Sequence, residues 1–194
     1  MTSAVAICNQ ALAQLGANPI ISLDDEVTEA ALCKALFAPI RDSVLEAYDW
    51  SFATKWFDLP KLANPPVGEY ANAFQLPPEV LRVVFVGQTS RGTVEDWQVE
   101  GDSIVTNSTT CRCKAIVRVI DPAKFTPLFT QALVSRLAAE LAIPLTKSRT
   151  TMETLFQLYD VKLREAARRN NQQGVSRRIR SRWLHRARSG IIGS

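Results

Sequence analysis

Hydrophobic periodicity changes twice along these 194 residues, from a helical repeat to an alternating one and back, and that double switch points to an α+β fold. The first helical stretch spans about residues 3–15, with Val5, Cys8, Leu12 and Leu15 on one stripe, Ser3 placed to cap its start and Gly16 placed just past its end. Asn18-Pro19 breaks the chain, and Ile20-Ile21 is expected to run extended. A second helix spans about residues 28–48, with Cys33, Leu36, Phe37, Ile40 and Val44 as its apolar face. Pro39 falls inside it and is expected to kink or split it, because proline lacks the backbone donor and crowds the preceding turn.

The pattern then turns β-like. After a loop marked by Pro60, Pro65-Pro66 and Gly68, residues 80–86 read as a strand, and residues 94–99 and 103–106 read as a hairpin across Glu100-Gly101-Asp102. Residues 112–120 alternate, with Cys113, Ala115, Val117 and Val119 on one face. Helical spacing returns at about residues 127–143, between Pro127 at the first position and Pro144 past the end, and again at about 148–169. Phe129, Leu133, Val134, Leu137, Ala138 and Leu141 mark the third stripe, and Met152, Leu155, Phe156, Tyr159 and Leu163 the fourth. The expected organisation is a helical domain from residues 1–69 and 121–174, its four helices drawn from both chain ends as one unit. A small antiparallel β-module (70–120) is inserted into it, and a basic C-terminal arm (175–194) extends from it.

Residues of 46% hydrophobic character supply a core, yet no uninterrupted run of 18 apolar residues occurs, so no transmembrane helix and no membrane partner are expected. Met1 to Ala6 lacks a basic segment followed by an apolar one and does not read as a secretory signal. Four cysteines (Cys8, Cys33, Cys111, Cys113) are too few for a disulfide scaffold and suit synthesis in a reducing cytoplasm.

Catalytic signatures are sparse. The single histidine, His185, lies in the arm, which leaves no histidine for a triad or a His-rich metal site in residues 1–174. Neither glycine-rich phosphate-binding pattern occurs, and Cys111-Arg-Cys113 lacks the spacing of a redox or zinc pair. Those two thiols read as small core residues. Asp24-Asp25-Glu26 precedes a helix start, where acids favour the helix dipole, and Glu95-Asp96 is the other acidic pair. A hydrolase acting on polysaccharide or peptidoglycan through two such carboxyls stays open as an alternative. Trp50, Phe52, Trp56 and Phe57 read as the closing aromatics of a helical core, with a stacking platform as the rival. No enzymatic activity, cofactor or metal is expected.

The net charge of +4 hides a segregation: residues 161–194 hold ten Lys/Arg against Glu165, a local balance of +9, so the remainder carries −5. Within the arm, Ile179, Trp183, Leu184, Ile191 and Ile192 are the apolar residues. Burying them is worth on the order of 10 kcal/mol, whereas ordering about twenty residues costs roughly 20–40 kcal/mol. The arm is therefore expected to order only on a partner. Ile179 and Trp183, four apart, suit a protein groove, with Arg177, Arg178, Arg180, Arg182, Arg186 and Arg188 facing an acidic wall. Nucleic acid is the rival partner, since arginine neutralises phosphate and tryptophan stacks.

Several segments resemble one family in order. Cys8-Asn9-Gln10-Ala11-Leu12-Ala13-Gln14-Leu15-Gly16-Ala17-Asn18-Pro19-Ile20 is similar to the start of tail tubular protein A and related head-to-tail adaptors of tailed bacteriophages. So are the Arg41-x-x-x-Leu45 step, Trp50-Ser51-Phe52-Ala53, Leu76-Pro77-Pro78-Glu79-Val80-Leu81-Arg82-Val83, Val119-Ile120-Asp121-Pro122 with Phe125, and Ala138-Ala139-Glu140-Leu141-Ala142. The resemblance covers about residues 4–170. It implies a structural (gatekeeper) virion protein of the tail or neck, made in the host cytoplasm, that forms a homo-oligomeric ring, a dodecamer, below the portal. The partners it implies are other copies of the chain, the portal protein, the tail nozzle or tube protein, and DNA passing through the lumen on ejection. It also implies that a C-terminal extension docks on the portal, which would make Arg177, Arg178, Ile179, Arg180, Arg182, Trp183, Leu184, Arg186 and Arg188 the portal-binding residues. This arm is richer in arginine than the family pattern.

Overall fold

A computed structural model describes residues 3–64, 66–87 and 96–172. They form an α+β structure of four helices and two small antiparallel sheets. Helix α1 (Ala4–Gln14) begins as the sequence indicates: the Ser3 side chain accepts from the Ala6 amide at 3.1 Å. It ends on Gly16, whose φ of +69° lets the Ala17 and Gly16 amides donate back to the carbonyls of Leu12 and Ala13. Helix α2 (Thr28–Glu46) is not split. It runs through Pro39, which faces solvent while Cys33, Phe37, Ile40, Val44 and Leu45 face the core.

Helix α3 (Pro127–Thr146) is the centre of the helical layer. Its start is capped by Thr126, which accepts from the Phe129 amide, and eleven of its residues are buried, distributed around the whole circumference. Helices α1 and α2 cover one side, and α4 (Arg149–Gln172) covers another. By length and composition α3 is apolar enough to cross a membrane, although Arg136 and Glu140 interrupt its apolar run. Most of it is instead enclosed by the protein. Those two charges pair at 2.8 Å, and the Arg136 guanidinium lies over the rings of Phe156 (4.6 Å) and Tyr159 (5.5 Å), which fastens α4 to α3.

Pro144 does not lie past the end of α3, as the sequence suggested, but inside it. The helix continues one turn because Leu141 and Ala142 are fully buried, and it closes with Thr146 donating to the Ala142 carbonyl (2.6 Å) and Lys147 turning left-handed. The missing proline donor costs little near a C-terminal turn that is already ending.

The β-layer starts earlier than the residue-70 boundary read from composition. Strand β1 (Thr54–Leu59) follows a short 3-10 turn at Ser51–Ala53 and pairs antiparallel with β6 (Cys111–Val117), which also pairs with β3 (Val80–Val86). The second sheet orders β2 (Asn72–Gln75), β5 (Ser103–Thr106) and β4 (Trp97–Glu100). The expected hairpin is β4–β5, closed by a two-residue loop with Gly101 at φ +60°, the sense of turn that matches strand twist. The sheets face each other across Leu59, Val86, Cys111, Cys113 and Ala115 on one side and Phe74, Leu76 and Ile104 on the other. Strand β6 serves both cores. Cys113 and Ala115 face the second sheet, whereas Ile116, Val117 and the following Val119 pack with the helices. The single alternating face expected for residues 113–119 is thus shared between two layers, because the strand passes from one to the other.

Polar ties hold the two layers together and fasten α4 to the turn between them. Arg118 donates to Asp42 of α2 at 2.7 Å, and Arg82 of β3 reaches Asp49 and the Glu46 carbonyl. The Asn170 side chain near the end of α4 accepts from the Ser51 amide (2.8 Å) and donates to the Asp49 carbonyl (2.9 Å).

Candidate interaction surfaces

The arm residues singled out in the sequence, Arg177, Arg178, Ile179, Arg180, Arg182, Trp183, Leu184, Arg186 and Arg188, lie outside the described residues, as does His185. The folded layers leave two surfaces with distinctive chemistry uncovered.

The connection between α1 and α2 forms the first. The Asn9 side chain clamps Ile20, donating to its carbonyl and accepting from its amide, both at 2.8 Å, in the manner of a neighbouring strand. Asp25 accepts from the amides of Ile21 (2.8 Å) and Ser22 (3.0 Å). Residues 20–22 are thereby held on both sides of Ile21. Ile20 is buried, and Ile21 is turned outward with 93% of its surface in solvent; Val27 is about half exposed. Residues 20–29 carry four acids (Asp24, Asp25, Glu26, Glu29) and no base. Lys34 reaches in from α2 to Asp24 at 2.7 Å.

The second surface is a groove along the C-terminal half of α4 and the start of α3. Leu128, Val161, Arg164, Glu165, Arg168, Arg169 and Gln172 line it, and it encloses about 530 Å³. At 100° per residue, Val161, Arg164 and Arg168 fall on the side of α4 opposite the buried Leu155–Tyr159–Ala166 stripe. Val161 is 59% exposed and Leu158 is also open. Residues 161–172 carry four cations (Lys162, Arg164, Arg168, Arg169) against Glu165, so the basic character assigned to the arm already begins on folded helix. The sequence held a signal for this surface: Leu158 and Val161 are apolar but out of phase with the fourth stripe. Ile21 carried none, because alternation over two residues does not say which one faces out.

The aromatic group divides. Trp50, Phe52 and Phe57 join the core, with Trp50 edge-on to Tyr48 (5.4 Å) and Phe129 (5.1 Å) and its indole N–H donating to the Val44 carbonyl. Trp56 departs from the core reading. It lies on the outer face of β1, 46% exposed and edge-on to Phe85, across from Lys114 of β6.

The carboxyl groups of Asp24, Asp58 and Asp102 all lie below the usual carboxylate range, through hydrogen bonds from Lys34, Arg112 and Gln75 respectively. A general acid needs the opposite shift. Asp96, the described member of the second acidic pair, is met by the Tyr70 hydroxyl at 3.4 Å. Among the described residues no group of three or more His, Cys, Asp or Glu is placed to hold a metal ion.

All four cysteines are buried. Cys111 and Cys113 stand in the β-core, as small core residues would. Burial first, and the Asp58 charge second, push the Cys113 thiol up to about 11. Cys8 of α1 is held above the ordinary thiol range by its hydrogen bond with Cys33 of α2 and by burial. The same hydrogen bond lowers Cys33, so burial rather than pKa shields the four thiols, and a disulfide-exchange reagent at pH 8 is expected to label the native chain slowly and all four thiols at once in denaturant. A rapid native burst of even one thiol would contradict the placement. Since the folded Cys113 pKa is raised, its contribution to stability is fully present below about pH 8.5 and fades as the pH climbs towards 11.

No protein-family model matches the sequence, and no curated protein matches it.

Proposed function

We propose that the chain is a structural virion protein of a tailed bacteriophage, a head-to-tail adaptor working as a ring between the portal and the tail nozzle or tube. In this reading the four helices act as one ring-forming unit, residues 1–69 and 121–174. The β-layer meets the next tail component, the arm at 175–194 docks on the portal, and DNA passes through the lumen. The observation that carries it is the anchored, basic end of α4. Helix α4 is fastened to α3 through Arg136 and to the 49–51 turn through Asn170, so the chain leaves the body at a fixed, basic end. The ordered series of segments similar to the adaptor family supports the same reading, since Asn9 and Ile20, Arg41 and Leu45, and Trp50 each occupy structural positions in the helical layer.

Removing residues 175–194 is expected to abolish docking on portal complexes while leaving the melting temperature of the body unchanged. Electron microscopy of portal complexes mixed with full-length and truncated chain checks this. Full-length chain that never joins the portal, or truncated chain that still does, would refute the docking role.

A second reading, an arginine-tail nucleic-acid-binding protein, is favoured by Arg164, Arg168 and Arg169 extending the cationic surface onto the body. It requires that DNA binding by the full chain fall steeply with salt and collapse when Arg177, Arg178, Arg180 and Arg182 become alanine.

A further inference from the structure

The groove on α4 and the loop between α1 and α2 carry opposite charge, and each exposes an apolar residue. The groove is lined by the apolar Leu128 and Val161 and by Arg164, Arg168 and Arg169 against a single acid, Glu165. The loop offers an exposed apolar knob, Ile21, in a segment that also carries half-exposed Val27 and the acids Asp24, Glu26 and Glu29, of which Asp24 is paired with Lys34. The knob is held in place before any partner arrives, because Asn9 and Asp25 fix the backbone on either side of it. A preformed apolar anchor loses little freedom on binding. Helix α3 stands between α1–α2 and α4, so one copy does not close the two surfaces on each other.

We propose that the groove along α4 receives the residue 20–29 loop of a second copy of this chain, in a head-to-tail contact. Ile21 enters between Leu128 and Val161, and the acidic loop faces the arginines. The contact is heterologous, with one patch type on each partner, so it repeats from copy to copy by rotation. Its charges set the approach and orientation, and the apolar knob supplies the anchor. The chain's own arm is the poorer occupant, since residues 175–194 bring six arginines and no acid to a groove that is already cationic. The contact rests on the ring-adaptor reading for its use, though not for its chemistry.

The test uses the full chain in sedimentation velocity over a concentration series, with Ile21→Asp and Val161→Asp as variants. Both side chains are exposed, and unchanged melting curves check that each variant folds. The wild type is expected to form a head-to-tail series that weakens with added salt. Each variant alone is expected to associate at least about thirtyfold more weakly, the scale of a central anchor. Mixing the two variants is expected to give a single heterodimer and nothing larger, because one intact knob and one intact groove remain between them.

A wild type that stays monomeric to its solubility limit overturns the proposal. So does a variant that still dimerises alone, which would indicate a knob–knob or groove–groove contact. Loss of DNA binding in Arg164→Ala/Arg168→Ala, with self-association intact, would make the groove a nucleic-acid surface and overturn it too. Should both variants still form rings on the portal, this contact fails while the adaptor reading stands. Should the copies pair as described and ignore the portal, the adaptor reading fails while the contact stands.

Discussion

Replacing Trp50 with alanine is expected to remove a large share of the folding stability, about 3–5 kcal/mol. Its side chain is 1% exposed and meets Phe129 of α3 at 5.1 Å, Tyr48 at 5.4 Å and Phe52 at 6.2 Å, while its indole N–H bonds the Val44 carbonyl at the end of α2. Trp50 is also the hinge between layers, since β1 begins four residues later and Thr54 donates back to the Trp50 carbonyl at 2.6 Å. Truncating a buried tryptophan costs about 3–5 kcal/mol through lost transfer energy and the cavity left behind. Domains of this size carry roughly 5–15 kcal/mol in total. Trp50→Phe keeps most of the ring contacts and is expected to lose less than half as much. Urea denaturation followed by circular dichroism separates the three proteins. If the alanine variant melted within a few degrees of wild type, the aromatic cluster would not be the keystone described here.

The second large effect is expected at Asp42. Its carboxylate holds Arg41, whose side chain is only 8% exposed, at 2.8 Å, and Arg118 at 2.7 Å, so one acid neutralises two cations and ties α2 to the chain leaving β6. Asp42→Ala strands the Arg41 guanidinium in a site with little water, for which a loss of about 3–5 kcal/mol is expected. Most of that cost is the stranded charge rather than the lost attraction. The double variant Arg41→Met/Asp42→Ala is therefore expected to recover a large part of the stability. Equal destabilisation in the single and double variants, measured by the same urea curves, would assign the effect to packing instead.

Both residues also mark where the sequence was readable. Arg41 sits in a stripe with Phe37, Val44 and Leu45, and its burial is implied once that face is identified, but nothing local says which acid answers it. Arg118 is 76 positions away, and only the fold brings it to Asp42. Trp50 was legible as a core aromatic from its neighbours. Trp56, in the same cluster, was not, because its exposure follows from pairing with β6, more than fifty residues on. Strand β1 was missed for that reason too: its six residues have no turn beside them that names a partner. Ile21 and Val161 show the same divide at the candidate interface. Each is visible as an apolar residue, but only packing leaves them uncovered on separate sides of α3.

By itself, the sequence determined the α+β class, the positions of the four helices, the β4–β5 hairpin and the segregation of positive charge towards the C-terminus. These depend on spacing, caps, glycine conformation and composition, all of which act over a few residues. The tertiary structure alone decided that β6 would serve two cores, that most of α3 would be enclosed, and that an acidic knob and a basic groove would be left over. Those outcomes depend on which distant surfaces bury each other, and burial is a property of pairs of segments that no single window of residues contains.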